Sequence, residues 1–204
     1  MGTNEIDIIN RNCKVTICEC VGLQNFDDQI CLIPKTDFKP SFSFLELLDS
    51  LSFDHKFKSG RWTQFFGKTS YKYGTTLHHP CPMFANPYVS EMLQFVTGTF
   101  PELTPNSCLI NYYPNQQSSI PYHCDDEACI VDNSFILTLS FGSDRRMFFK
   151  DICTGESLCS ILLRNCGVVI FSKSSQLRFA HCVPSEEKDS DYSPRISATF
   201  RYIR

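Results

Sequence analysis

Two stretches of the chain repeat apolar residues at helical spacing, and from position 107 onward the rhythm shortens to that of strands. Ser43-Phe-Leu-Glu46 has the form of a capping box, in which a hydroxyl accepts from the N–H three residues on and a carboxylate reaches back. Phe44, Leu47, Leu48 and Leu51 then fall at i, i+3, i+4 and i+7. Farther along, Asn86-Pro87 supplies a cap and a proline for the first helical position. Val89, Met92, Leu93 and Val96 make one apolar face, and Gly98 is the expected stop. Both segments read as amphipathic helices covering a sheet. The expected strands are Cys108–Tyr113, Ile120–Cys124, Ser134–Phe141, Arg146–Lys150, Leu158–Leu163, Val168–Ser172, Phe179–Cys182 and Arg195–Ile203. They are short, rich in Phe, Ile, Val and Leu, and separated by Gly, Pro, Asn and Asp. Eight short strands after two helices predict a mainly β fold with flanking helices (α+β): a jelly-roll sandwich with both helices on one face. Between Pro184 and Pro194, the run of Glu186, Glu187, Lys188, Asp189 and Asp191 reads as a mobile acidic loop.

Composition narrows the class. A chain of 204 residues is the length of one domain, and 42% hydrophobic with 20% charged residues is ordinary for a globular protein. No stretch approaches the roughly 18 to 20 apolar residues of a membrane helix, so no membrane insertion is expected. Met1-Gly-Thr-Asn-Glu-Ile-Asp7 lacks the basic start and apolar run of a secretory signal. The expectation is a monomeric protein of the cytoplasm, not secreted, or one domain of a longer chain. Twelve cysteines raise the question of zinc or disulfides, but Cys18 and Cys20 form only a CxC and no CxxC occurs. Cys108, Cys129, Cys159 and Cys166 sit in apolar runs, where cysteine behaves as a small hydrophobe, so reduced and mostly buried thiols are expected.

The net charge of -3 does not advertise nucleic-acid binding, but its distribution changes the picture. No acidic residue occurs from His55 to Ser90, while Lys56, Lys58, Arg61, Lys68 and Lys72 fall among Phe57, Trp62, Phe65, Phe66, Tyr71 and Tyr73. Cations interleaved with aromatic rings suit a strand of phosphates with bases to stack, and equally suit a solvated basic hairpin.

The candidate chemistry lies farther on. In Tyr122-His123-Cys124-Asp125, residues two apart share a face, so His123 and Asp125 point together and Cys124 points away. With one distant histidine they would make the 2-His-1-carboxylate triad of non-haem iron(II) oxygenases, which leaves adjacent positions open for an oxo-acid and dioxygen. His181, in Phe179-Ala-His-Cys-Val183, has the best context for the third ligand; His55, His78 and His79 lie upstream of the β region. A core histidine would look the same. In Arg195-Ile-Ser-Ala-Thr-Phe-Arg-Tyr-Ile203, alternation puts Arg195, Ser197, Thr199 and Arg201 on one face and Ile196, Ala198, Phe200 and Tyr202 on the other. That polar face suits either a solvated edge strand or an interior arginine fork for a dicarboxylate.

Taken together, Asn111-Tyr-Tyr113, Ile120-Pro-Tyr-His123-Cys-Asp125-Asp-Glu127, His181 and Arg195-Ile-Ser-Ala-Thr-Phe-Arg201 resemble the core of the AlkB family of Fe(II)- and 2-oxoglutarate-dependent dioxygenases. The likeness runs from about Arg61 to Arg204. It implies a double-stranded β-helix with Fe(II) on His123, Asp125 and His181, and O2 and 2-oxoglutarate as co-substrates. It further implies 2-oxoglutarate on Asn111, Tyr113, Arg195 and Arg201, with Arg195 on the distal carboxylate; Ser197 takes the place of an asparagine in bacterial relatives. Arg61-Trp-Thr-Gln-Phe-Phe66-Gly-Lys-Thr-Ser-Tyr71-Lys-Tyr73 resembles the family's nucleotide-recognition lid. By that likeness Arg61, Phe66, Tyr71 and Tyr73 would hold the substrate base, or else pack beneath the lid, and Glu127 would read the base edge. The chain then divides into an N-terminal extension with the first helix (1–54), a lid (55–85) and a jelly-roll core (107–204). Its style is similar to the AlkB domain of plant RNA virus (flexivirus) replicase polyproteins. The implied activity is oxidative N-demethylation of nucleic-acid bases, in the manner of RNA repair. Single-stranded RNA is preferred and DNA is an alternative; 1-methyladenine and 3-methylcytosine are the expected lesions, with N6-methyladenine in competition. Other readings of the same residues are a dioxygenase hydroxylating a protein side chain, a non-catalytic RNA-binding module, and a cupin-like metal-binding domain.

Overall fold

The structure, a computed structural model, describes residues 30–186 and 194–204, together with the backbone of two short strands at 6–8 and 15–17. In chain order the strands and helices are β1 (Ile6–Ile8), β2 (Val15–Ile17), β3 (Ile30–Ile33), α1 (Phe44–Asp49), β4 (His55–Lys56), β5 (Trp62–Gly67), β6 (Tyr71–Tyr73), β7 (Thr76–His78), α2 (Pro87–Thr99), β8 (Ser107–Tyr113), β9 (Ile120–His123), β10 (Phe135–Gly142), β11 (Arg145–Asp151), β12 (Ser157–Leu163), β13 (Val168–Ser172), β14 (Phe179–Val183) and β15 (Arg195–Arg201). Cys13, Cys18, Cys20 and residues 187–193 of the expected acidic loop lie outside the described residues.

Both helix starts form as their caps dictate. Ser43 Oγ accepts from Glu46 N while Glu46 Oε2 accepts from Ser43 N, and Asn86 Oδ1 accepts from the N–H groups of Tyr88 and Val89. The second helix runs past Gly98, the expected stop, and ends at Phe100, whose N–H bonds to Val96 O. Pro101 explains the difference, because a proline disfavours helical geometry in the residue before it.

The strands form a large sheet in the order β2-β3-β13-β10-β15-β8-β5-β4, a smaller one in the order β1-β12-β11-β14-β9, and a separate β6-β7 ribbon. Alternation in the large sheet sorts its apolar residues onto two faces. Phe66, Cys108, Ile110, Leu137, Leu139, Ile170, Ile196, Ala198 and Phe200 pack with Leu47, Val89, Met92 and Val96 of the helices. Phe65, Leu109, Ile136, Val169 and Phe171 face the smaller sheet and meet Met147, Phe149, Ile161, Phe179 and Val183 there. The jelly roll with helices on one face is therefore the fold.

The stretch expected as a lid, 55–85, is not one unit. Strands β4 and β5 extend the large sheet, with Thr63 opposite Asn111 and Phe65 opposite Leu109, and only β6 and β7 stand apart as a ribbon. The apolar run Ile30-Cys-Leu-Ile33, within the expected N-terminal extension, enters the sheet beside β13, where all four residues are buried. Cys81, Cys108, Cys124, Cys129, Cys153, Cys166 and Cys182 are free thiols, and Cys153 is exposed.

Candidate metal and co-substrate site

Pairing of β9 with β14 sets His123 directly opposite His181, with ring centroids 4.3 Å apart. Asp125 follows just past the end of β9, its Oδ1 3.8 Å from His123 Nε2. One donor atom from each of the three residues lies within 4.8 Å of the others. Each side chain is oriented from behind. His123 Nδ1 is 2.9 Å from the carbonyl of Pro121, which makes Nδ1 the protonated nitrogen and leaves the Nε2 lone pair facing Asp125. The imidazole of His181 stacks on Phe171 at 5.0 Å. Gln176, on the short turn after β13, accepts from the backbone N–H of Asp125, and Arg201 Nη2 donates to Asp125 Oδ2 at 2.8 Å.

The electrostatics suit a cation. Burial alone would raise the Asp125 carboxyl, but Arg201 and the two histidines outweigh it and hold it down at about 2. Burial lowers His181 to about 3, helped by His123, and moves His123 in the same direction, so both imidazoles are neutral ligands at pH 7. Asp125 Oδ1 is buried and has no hydrogen-bond partner, an arrangement that is costly unless a cation occupies the space it faces. Two neutral imidazoles and one carboxylate fit non-haem Fe(II) by their chemistry.

A narrow cavity leads from this cluster along β15 and β8. Its lining includes Asn111, Tyr113, Thr138, Arg195, Ser197, Thr199 and Arg201. Strand β15 is central, between β10 and β8, so its polar face is interior rather than a solvated edge. At the far end Arg195 is buried, donates to Ser140 Oγ at 2.9 Å, and lies over the Tyr113 ring at 5.2 Å. Burial, and secondarily Arg145, bring its guanidinium down to about 10 against the opposing pull of Tyr113, so it remains protonated at pH 7. Among the described residues no carboxylate pairs with Arg195, and its Nε has no partner. A buried, protonated fork that faces a cavity, with no carboxylate partner among the described residues, can receive a carboxylate. The cavity therefore fits a dicarboxylate between the metal cluster and Arg195.

The base-recognition candidates divide. Tyr73 lines both this cavity and a wider, open mouth, which it shares with His123, Lys72, Asp126 and Glu127. Its ring meets His123 edge-on at 6.0 Å. Glu127 stands on the rim of the mouth, its carboxyl raised chiefly by burial. Tyr71 is fully buried, stacked on Phe65 at 5.0 Å with its hydroxyl toward Glu127, and so supports the rim from below. Arg61 is also buried; its Nη1 donates to Asn111 Oδ1 and its guanidinium lies over Phe57 and Tyr73, which places it behind the cavity wall. Phe66 is a correction: it points to the helix side of the sheet and packs in the core there, because its neighbour Phe65 takes the interior face.

Sequence reasoning missed Thr138, Ser140, Arg145 and Gln176. The first two were detectable, since they are the polar residues at alternate positions of the apolar run Phe135–Gly142 and bond to Thr199 and Arg195. Arg145 is buried near the Tyr113 ring and holds the carbonyls of Ser118 and Pro184. No local pattern distinguishes it from its half-exposed neighbour Arg146.

A jelly roll carrying an HxD…H cluster beside an interior arginine defines a non-haem iron oxygenase by fold and site. The sequence pattern of the 2OG-Fe(II) oxygenase superfamily matches residues 50–201, and the chain belongs to that family. Fe(II), 2-oxoglutarate and O2 are accordingly its cofactor and co-substrates, and the domain is a dioxygenase of the AlkB type. It is 26% identical over 196 residues to the alpha-ketoglutarate-dependent dioxygenase alkB homolog 3 of Bos taurus, covering 86% of this chain and 66% of the relative. The human protein of that name is 27% identical over 161 residues, covering 74% of this chain and 54% of the relative. The chain thus spans between half and two thirds of the length of these curated relatives. The solved structure of OsALKBH1 superposes with a TM-score of 0.53 at 14% identity, over 84% of this chain and 97% of that one, a likeness of fold.

Proposed function

We propose that this domain removes N-methyl groups from nucleic-acid bases, with single-stranded RNA as its preferred substrate and single-stranded DNA as a poorer one. The observation that carries the reading is the sharing of Tyr73 and His123 between the co-substrate cavity and the wider mouth. A planar group entering the mouth can stack on Tyr73 with one substituent directed at the triad, while Glu127 on the rim faces its polar edge. Unstacking a base costs a few kcal/mol in a duplex and less in a single strand, and aromatic stacking returns about 1–3 kcal/mol. The basic, acid-free stretch that leads to the mouth supports a polyanion rather than a peptide. When bound, iron with 2-oxoglutarate and dioxygen supplies the oxidation of the methyl group that ends in formaldehyde and the unmodified base. The protein's own part is to hold Asp125 through Arg201, to keep His123 in one tautomer through Pro121, to anchor the distal carboxylate on Arg195 and to position the methyl. The favoured lesions are 1-methyladenine and 3-methylcytosine, with N6-methyladenine as a third. The proposed setting is a monomeric domain of a viral replicase polyprotein in the host cytoplasm.

Mass spectrometry of oligoribonucleotides and oligodeoxynucleotides, each bearing one methyl lesion, tests this after incubation with iron, ascorbate and 2-oxoglutarate. Loss of the methyl mass with formaldehyde release is expected, abolished in His123→Ala. Succinate production without demethylation of any oligonucleotide would overturn the substrate reading, and activity retained in His123→Ala would overturn the site.

A further inference from the structure

We propose that Asp54, His55 and His78 form a second divalent-cation site, of zinc type, which staples the β6-β7 ribbon to the edge of the large sheet. None of the three lines the co-substrate cavity. Asp54 and His55 sit at the start of β4, the edge strand, and His78 closes the ribbon opposite Tyr71. Their donor atoms converge: Asp54 Oδ1 is 3.2 Å from His55 Nδ1, and Asp54 Oδ2 is 3.0 Å from His78 Nδ1. The two rings meet edge-on, with centroids 4.8 Å apart. Zinc–nitrogen bonds of about 2.0–2.1 Å put neighbouring donors of a tetrahedral site roughly 3.3 Å apart. Both spacings are close to that, each to a different oxygen of the Asp54 carboxylate, and one donor atom from each of the three residues lies within 4.8 Å of the others. Hydrogen bonding accounts for only half of the cluster. His78 Nδ1 bonds to Asp54, whereas His55 Nδ1 is buried, lies at contact distance from a carboxylate oxygen, and has no hydrogen-bond partner. The His55 nitrogen and the Asp54 oxygen, 3.2 Å apart and not hydrogen-bonded to each other, are placed to share a cation.

The supply of ligands is also suited to it. Burial lowers His78 against the opposing pull of Asp54, which favours the neutral imidazole a metal requires. His78 is packed from the ribbon side by Tyr71, at 6.2 Å and nearly parallel, and by Phe65 at 6.1 Å. Two imidazoles and one carboxylate leave room for water as a fourth ligand, and the Irving–Williams order favours zinc over iron(II) at such a site. Because the ligands come from two separate pieces of sheet, the bound ion would fix the ribbon that carries Tyr71 and Tyr73. Cation binding here does not depend on what the enzyme demethylates.

The test is zinc stoichiometry by equilibrium dialysis and elemental analysis on the full chain, followed by trypsin cleavage at Lys68 and Lys72, which flank and occupy β6. The wild type is expected to bind two ions, His123→Ala one, His55→Gln one, and the double variant none. In the His123→Ala protein zinc should slow cleavage at the ribbon, and His55→Gln added to it should remove that protection. Loss of the ligand should weaken zinc binding at this site by more than the roughly 10–100-fold that removing an outer-shell partner costs. Asp54→Asn serves as a second variant, with far-UV circular dichroism showing that each protein is folded. One ion in the wild type and none in His123→Ala would overturn the proposal and leave a hydrogen-bonded triad. So would an unchanged count in folded His55→Gln and Asp54→Asn.

Discussion

Phe66 and Tyr73 are both aromatic, both lie in the acid-free stretch, and both could stack on a base by sequence alone. The structure separates them by the direction of a single Cα–Cβ bond. Phe66 is embedded between the large sheet and the helices, so Phe66→Ala should open a cavity and cost roughly 3–5 kcal/mol, read as a lowered urea midpoint. Tyr73→Ala should change the unfolding free energy by no more than about 1 kcal/mol and depress RNA demethylation more than substrate-free succinate formation. A parallel fall in both activities would make Tyr73 a structural residue. The buried histidines have their own signature. His181 is lowered from 6.5 to about 3, with His123 lowered in the same direction. A depressed folded-state pKa means that the unfolded chain takes up protons first. Their contribution to the stability of the metal-free protein is thus full above pH 6.5 and lost as pH falls from there toward 3. Chemical denaturation in chelator should show that decline, and His181→Gln should flatten it.

At the level of elements, the caps and the alternation act independently of the site. Helix α1 has only six residues, too few to persist without its cap and its contact with the sheet. Ser43→Ala removes one half of the capping box and should cost about 0.5–2 kcal/mol in a denaturant melt, with 2-oxoglutarate turnover unaffected. Much of this was legible: both helix starts, the eight strands from β8 onward to within a residue or two, and the polar face of β15 all follow from local periodicity. The strands from β3 to β7 were not called. They are short, two to six residues, and in β4, β5 and β6 cations and aromatics mask the period. The helix end was misplaced because Gly98 tolerates helix geometry, whereas the proline after Phe100 opposes it.

Across the whole molecule, remote pieces converge at Gly142. This residue turns β10 toward β11 with φ of 86°, and a Cβ there would run into the carbonyl of Pro194, just before β15, and lie 2.8 Å from the Phe44 ring of α1. Gly142→Ala should therefore combine left-handed strain with a clash against rigid backbone, costing upward of about 1 kcal/mol. Because Arg195 is the register partner of Gly142, the same change should raise the KM for 2-oxoglutarate. Wild-type thermal stability and KM together would show that this junction can relax.

The amino-acid order by itself determined which side chains share a face. Arg195, Ser197, Thr199 and Arg201 go together because the strand period of two is a local property of the backbone; Asp125, just past the end of β9, is brought to His123 by its tertiary partners Gln176 and Arg201. The amino-acid order could not decide whether the polar face of β15 was interior, or whether His181 was a ligand or a core residue. Those answers depend on β15 lying between β10 and β8 and on β14 pairing with β9 so that His181 meets His123. Register between strands more than fifty residues apart is set by packing of the whole barrel against its helices, and no local pattern encodes it.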